Sequence, residues 1–381
     1  MKNKRLAKTV MITFAVICSV VAVIFCHRIL LYFVTECVLY SAKTFLPEEG
    51  VTLPEFTSAV RVAETSARKQ TQPATEATSQ TEKEVSVSVE SFTATPEDIT
   101  AIIAQREKTA AKDKKDADIK EKQYKQDGVT DSFGRVRVKN VNKTEIDIKK
   151  ILGEKIDLSV SKDKPSVLIF HTHTTETYQI LDRGFYETGF LTRSQSSKVN
   201  MIRVGQAICQ EIEKAGYKVI HDTVIHDSSY NGAYAHSRKE IEKILKENPS
   251  IQVVLDIHRD AIQLNDGTKI KPTAEIQGKK AAQIMIISGC QEEGNSITNL
   301  PDWRYNLTFA VHLQDKLEEL FQGITRPLYF CPRSYNMNVS HCSLLVEVGS
   351  DANTLEEAVY TGKCIGVALS EILKEYEVKD E

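Results

Sequence analysis

Apolar positions divide the chain into three regions with different rhythms. From Val10 to Cys26 the sequence is almost wholly apolar, and after His27 and Arg28 the run resumes over Ile29–Val34. That length suffices to cross a bilayer, which takes ~20 helical residues. Thr57–Thr95 is dominated by Thr, Ser, Glu and Ala without a core-forming period, and Ala101–Gln126 is crowded with Lys, Asp and Glu. Such stretches bury too little apolar surface to offset chain entropy. Beyond about residue 150 the pattern changes again, to short apolar runs alternating with helical periods. Val167–Phe170 reads as a strand buried on both faces. Val199–Lys214 sets Met201, Val204, Ile208 and Ile212 on one helical face and stops at Gly216. Tyr217–His221, Gln252–Ile257, Ile284–Ser288, Leu328–Cys331 and Ser343–Val348 read as strands, and Ser237–Glu247, Leu307–Phe321 and Leu355–Tyr376 as helices.

Strands alternating with helices predict an α/β fold, with a mainly parallel central sheet and helices on both faces, over residues 151–381. Ahead of it the pattern predicts a basic cytoplasmic tail (1–9), a transmembrane helix (10–34) and a flexible, low-complexity or charged linker (35–150). No A-x-A cleavage site follows the apolar run, so the segment reads as an uncleaved single-pass anchor in the cell membrane. Lys2, Lys4, Arg5 and Lys8 hold its start in the cytoplasm, which leaves the C-terminal domain extracytoplasmic.

Composition narrows the function only by exclusion. Over 381 residues a formal net charge of −3 gives no reason to expect nucleic-acid binding. Eight cysteines occur without a CxxC pair, which argues against a zinc knuckle or a dithiol redox motif.

Three strand ends carry chemistry. The first runs into His171-Thr172-His173-Thr174-Thr175-Glu176, the third ends in Asp256-Ile257-His258-Arg259-Asp260, and the late strand SLLVEV carries Glu347 near its end. In an open α/β sheet ligands gather just beyond such ends. Two imidazoles, a carboxylate and a water match a catalytic zinc site with one open position. A carboxylate outside the ligand set would move the proton of the attacking water. Glu347 suits that role, because a carboxylate in an apolar strand is costly unless it is paired or used. His221, His226, His236 and His341 are weaker candidates for the metal, and His312 sits mid-helix. Cys331 and Cys342 lack a local partner signature for nucleophilic catalysis.

Taken in order, HTHTTETY, KVNMIRVGQAICQEIEKAGYKVIHD, DIHRDA, YNLTFAVHLQDKLEE and LLVEVGSDANTLEEA resemble the stage II sporulation protein P family over about residues 165–376. The resemblance implies a zinc-dependent peptidoglycan hydrolase acting during forespore engulfment. It would cleave the amide between N-acetylmuramic acid and L-alanine, and also peptide cross-links. Stage II sporulation proteins D and M are its implied partners. The domain is also similar to the broader N-acetylmuramoyl-L-alanine amidases, onto whose motifs His258 maps as a zinc ligand and Glu347 as the catalytic glutamate. That group carries its ligand glutamate at the start of the first long helix, where this chain reads SSKVN, so Glu176 takes the place, with Glu187 a poorer alternative. The expected ligand set is therefore His171, Glu176 and His258. His173 is left to orient a ligand or stand in for His171, and Arg259 and Asp260 to support the site or touch substrate. Two other readings stand beside this one: a non-catalytic wall-binding scaffold, and a peptidase specific for cross-links.

Overall fold

A run of six residues, Pro165–Phe170, buried almost throughout, is the strand around which the sheet is built. The computed structural model describes residues 89–229, 231–292 and 299–378. In chain order the elements are α1 (Val89–Thr93), α2 (Glu97–Ala110), β1 (Lys115–Lys122), β2 (Asp131–Phe133), β3 (Val136–Asn140), α3 (Ile148–Leu152), β4 (Pro165–Phe170), β5 (Phe185–Glu187), α4 (Met201–Lys214) and β6 (Lys218–His221). They continue with α5 (Ala233–Glu247), β7 (Val253–Asp260), β8 (Lys269–Ile276), β9 (Lys279–Ala282), β10 (Ile284–Gly289), α6 (Trp303–Leu320), β11 (Leu328–Cys331), β12 (Cys342–Ser350) and α7 (Leu355–Glu375).

The main sheet has eight strands in the order β2-β3-β11-β10-β12-β7-β4-β6, and a four-stranded sheet runs β5-β1-β8-β9. β12, β7, β4 and β6 are mutually parallel, as the alternating pattern predicts. The sheet is nonetheless mixed rather than mainly parallel, since β10 runs antiparallel to β12 and β2 to β3. The cause lies in the connections. Parallel neighbours need a crossover, usually a helix, but β3 follows β2 after only Gly134 and Arg135, and β12 follows β11, the parallel partner of β10, through a loop whose only helical turn is Met337–Val339.

Helix cover is also unequal. The apolar faces of α3, α4, α6 and α7 share one core with Val167, Ile169, Leu255, Ile257, Leu344 and Val346 on one side of the sheet. On the other side α5 contributes Ile241 against Leu168, Phe170 and Val254. The expectation of helices on both faces thus holds for the β4–β7 half, with one helix among the described residues on the second side. Local signals fix the helix ends. Asn200 caps α4 by accepting from the Ile202 N–H at 3.1 Å, and Thr354 with Glu357 forms a capping box at α7.

The folded unit takes in residues 89–150, which composition assigns to the linker. Ile99 of α2 is 1% exposed within the main core, and Phe92 stacks on Phe321 with ring centroids 5.9 Å apart. Arg203 of α4 holds Asp98 through two hydrogen bonds of 2.8 and 3.0 Å. β1, with the polar sequence KDADIKEK, is a strand because β8 and β5 supply its backbone partners. Ile99→Ala should therefore destabilise the chain by about 2–5 kcal/mol; a thermal melt of the variant unchanged from the parent would detach α2 from the core. The expected anchor at 10–34 lies outside the described residues, among which no helix is long and apolar enough to cross a membrane.

Candidate functional site

Because β4, β7 and β12 run parallel, their C-terminal ends lie on one edge of the sheet. The register sets Glu347 directly opposite His258, and Leu345 opposite Asp256. Side chains alternate along a strand, so Asp256 and His258 share a face with Glu347, while Ile257 turns into the main core.

His258 is buried and stands between acids. Its Nε2 is 2.8 Å from Asp256 Oδ1, and its Nδ1 is 3.9 Å from Glu176 Oε2. Burial presses the imidazole towards neutrality, but Asp256, with Glu176 and Glu347 behind it, lifts its pKa to about 9. Asp256 is fixed in turn by Thr172, whose backbone N–H donates to Oδ1 at 2.8 Å and whose hydroxyl donates to Oδ2 at 2.6 Å. Burial alone would raise the Asp256 carboxyl; His258 and the Thr172 hydrogen bonds hold it below its ordinary range.

Glu347 Oε2 is buried and has no hydrogen-bond partner. Burial first, then the neighbouring Asp260, lifts its carboxyl to about 8, with His258 acting the other way. Such an orphaned oxygen in a cluster of acids is an expensive arrangement unless the site uses it.

The chain turns sharply after Phe170, and this turn separates the two candidate histidines. The Glu176 N–H donates to the His173 carbonyl at 3.2 Å. Glu176 Oε2 accepts from the Arg259 N–H at 3.3 Å, and Oε1 lies 3.6 Å from Arg193. The His173 ring stands edge-on to His258, centroids 5.3 Å apart. His171 instead lies fully buried on the opposite side, its Nδ1 3.0 Å from the Ile257 carbonyl and its Nε2 3.0 Å from His221 Nε2. An Nδ1–H donated to that carbonyl leaves Nε2 to accept from His221. The pair fills a niche opened by Gly205, where a Cβ would come within 2.5 Å of both Nε2 atoms. Burial, and each ring's closeness to the other for His171, depresses the pKa of His171 to about 3; burial depresses that of His221 to about 4. The structure thus brings His173, Glu176, His258 and Glu347 together and sets His171 apart from them.

Arg259 binds backbone carbonyls while, against burial, Glu176 and Asp351 hold its guanidinium firmly charged. Its Nε and one terminal nitrogen donate to the carbonyls of Thr177 and Thr192 at 2.7 and 2.8 Å, which ties down the loop that carries Arg193. Asp260 binds Arg326 at 2.9 Å. His226 pairs with Asp222 at 2.8 Å, His236 faces the His226 carbonyl at 3.1 Å, and His341 reaches Asp157; none of them joins the cluster.

Asp256 is legible in the sequence at the third strand end but without a role, which the period of two beside His258 supplies. Two further contributors have no signal in the sequence. Tyr234, from the first turn of α5, lays its ring nearly parallel to His258, 6.4 Å away at 12°. Tyr335 leans on Tyr234 at 5.6 Å, from a loop in which Tyr335 and Asn336 hold left-handed φ values of 39° and 58°. Non-glycine residues rarely adopt that conformation, and it concentrates at working sites. The Asn336 amide donates to the Tyr234 carbonyl at 3.0 Å and so locks the two walls.

Among the described residues no group of three or more His, Cys, Asp or Glu side chains is drawn close enough to enclose a metal ion. The chemistry of the donors nevertheless fits zinc: imidazoles from His173 and His258 with a carboxylate from Glu176. His258 offers Nδ1 to the Glu176 side while its Nε2 faces Asp256, the carboxylate–histidine arrangement that orients a ligand.

Fold and cleft together define an α/β domain with a histidine–carboxylate site at the ends of parallel strands. The family model described as Stage II sporulation protein P matches residues 55–370, and the chain belongs to that family. The Stage II sporulation protein P of Bacillus subtilis (strain 168) is 28% identical over 207 residues, which make up 51% of this chain and 48% of that protein. The chain thus spans about half the length of the curated relative it matches. Among solved structures it is similar to the N-acetylmuramoyl-L-alanine amidase AmiC2 of Nostoc punctiforme, at 9% identity over 55% of this chain and 96% of that one, with a TM-score of 0.32. It is similar also to the CwlD amidase from Clostridioides difficile in complex with the GerS lipoprotein, at 15% identity over 55% of this chain and 98% of that one, with a TM-score of 0.32.

Proposed function

We propose that this chain is a membrane-anchored, zinc-dependent hydrolase of the cell wall in sporulation that cleaves the amide between N-acetylmuramic acid and L-alanine. The observation that carries the reading is Glu347, set opposite His258 by the strand register with one buried oxygen left without a hydrogen bond. His173, Glu176 and His258 would hold the zinc, with His173 in the place first given to His171. Bound there, zinc would polarise the scissile carbonyl and acidify a water.

The chain's own groups do the rest. Glu347 takes the proton of the attacking water and delivers it to the departing amine of L-alanine, so that the amide is exchanged for a carboxylate and an amine. Asp256 keeps the His258 ring turned so that Nδ1 faces the cleft. Tyr234 and Tyr335 wall the cleft beside His258 and limit the water that reaches it. Residues 10–34 would supply the anchor and place the domain outside the cytoplasm, with stage II sporulation proteins D and M as partners in the membrane.

The test is digestion of purified peptidoglycan by the full chain in detergent, followed by mass spectrometry of the fragments. Stem peptides with a free N-terminal alanine, parted from intact glycan, are the expected products. Chelation should stop their release, and the protein should hold zinc at one equivalent. Release of shortened cross-links alone would replace the amidase reading with that of a cross-link peptidase. A protein that binds the wall, holds no zinc and releases nothing would be a scaffold.

A further inference from the structure

The threonines of His171-Thr172-His173-Thr174-Thr175-Glu176 supply no ligand, yet each of them is buried and each holds a neighbour. Thr172 grips the Asp256 carboxylate with its N–H and its hydroxyl. Thr175 repeats that grip on a second buried carboxylate, Asp227. Its N–H donates to Asp227 Oδ1 at 3.1 Å and its hydroxyl to Oδ2 at 2.6 Å. Thr174 ties the same turn to the segment that carries Asp227. Its hydroxyl donates to the His171 carbonyl at 2.6 Å and accepts from the His226 N–H at 3.2 Å.

The two gripped aspartates stand behind the two imidazoles of the cleft. Asp256 Oδ1 is 2.8 Å from His258 Nε2, and Asp227 Oδ2 is 3.9 Å from His173 Nδ1, an atom that is itself buried. Each ring therefore sets one nitrogen towards an aspartate and keeps the other, Nδ1 of His258 and Nε2 of His173, for a different partner. Asp227 also holds Arg193, whose second terminal nitrogen lies 3.6 Å from Glu176 Oε1. Thr175 and Arg193 leave Asp227 room for a further donor, since an ionised carboxylate offers about four lone-pair sites.

An acceptor behind a ligating histidine fixes its tautomer, holds its ring and raises its basicity towards the metal. We propose that Asp227 is the positioning residue for His173: it draws the Nδ1–H of that ring towards itself and so leaves Nε2 for a metal ion. Through the Thr175 grip and Arg193 the same carboxylate braces the turn and Glu176. Its part in zinc binding rests on the hydrolase reading above; its hold on the ring does not.

The experiment uses the full chain in detergent, stripped of metal. Nitrogen NMR of labelled histidine, recorded above the ordinary imidazole range so that the rings are neutral, should show His173 protonated at Nδ1. Zinc is then titrated against a chromophoric chelator. Asp227→Asn should weaken its binding about 10–100-fold, the usual cost of losing the carboxylate behind a ligating histidine. Asp222→Asn breaks a buried pair on the same loop that does not include His173, the one between Asp222 and His226 Nε2 at 2.8 Å, and should leave zinc affinity as it is. Melting temperatures of the metal-free proteins are read alongside. A purely structural Asp227 would lower the melting temperature and leave the zinc affinity of the folded chain unchanged, which would overturn the proposal. His173 protonated at Nε2, or equal losses of affinity in the two variants, would overturn it as well. Should the unsubstituted chain bind no zinc while His173 still carries its proton on Nδ1, the zinc reading falls and Asp227 stands as the group that fixes the ring.

Discussion

Glu347→Gln should lower peptidoglycan cleavage by about 10²–10⁴-fold, the range associated with a positioned general acid–base. The amide keeps the shape of the side chain and removes its capacity to take a proton. The same substitution should leave the melting temperature unchanged or raise it, because it replaces a buried carboxylate whose Oε2 lacks a hydrogen bond and whose pKa is lifted to about 8. Loss of activity without loss of stability is what separates a residue kept for chemistry from one kept for packing. If turnover fell less than tenfold, or if stability collapsed together with activity, Glu347 would have to be given a structural role instead.

The second large effect concerns a different buried charge. Lys271 is 1% exposed, yet its ammonium is held 2.6 Å from Glu357 and 2.8 Å from Asp182. Burial works against its charge, and Glu357 with Asp182 restores it and lifts its pKa above the ordinary range. Glu357 already spends its other oxygen on the Thr354 N–H at 3.0 Å and the Asn353 amide at 2.9 Å, at the start of α7. Lys271→Met would leave Glu357 Oε1 buried beside an apolar group. Removing one partner of a buried pair costs about 3–5 kcal/mol, so chemical denaturation should show a loss of that size. An unmoved midpoint would mean that solvent or a neighbour satisfies Glu357 without the lysine. Wall-cleaving activity measured well below the transition should persist, since Lys271 touches none of the cleft residues.

These two residues differ in how far the sequence reveals them. Glu347 is conspicuous, an acid between valines in a run that otherwise reads as buried strand. Lys271 is not, because KIKPTAEI has no apolar run to contrast with it and the partners are distant along the chain. The same reason hides β1. Its only apolar residues, Ala117 and Ile119, are merely half-buried, and it is a strand only because β8 and β5 lie alongside.

His171 and His173 show where a local rule stops. A strand's period of two would put both on one side, but the strand ends at Phe170 and the chain turns through Thr172–Glu176. One imidazole is thereby delivered to the niche beside Gly205 and the other to the cleft beside His258.

By itself, then, the sequence determined the alternation of strands and helices after residue 150, the parallel run of β4, β7 and β12, and the meeting of HTHTTE, His258 and Glu347 on one sheet edge. Each depends on periodicity and burial, which are written locally. Only the tertiary structure decided that residues 89–150 join the fold and that β10 reverses the sheet. It also set His173 beside His258 and His171 beside His221. Those outcomes depend on partners far away in sequence, on backbone pairing that any side chain permits, and on the direction of a single turn.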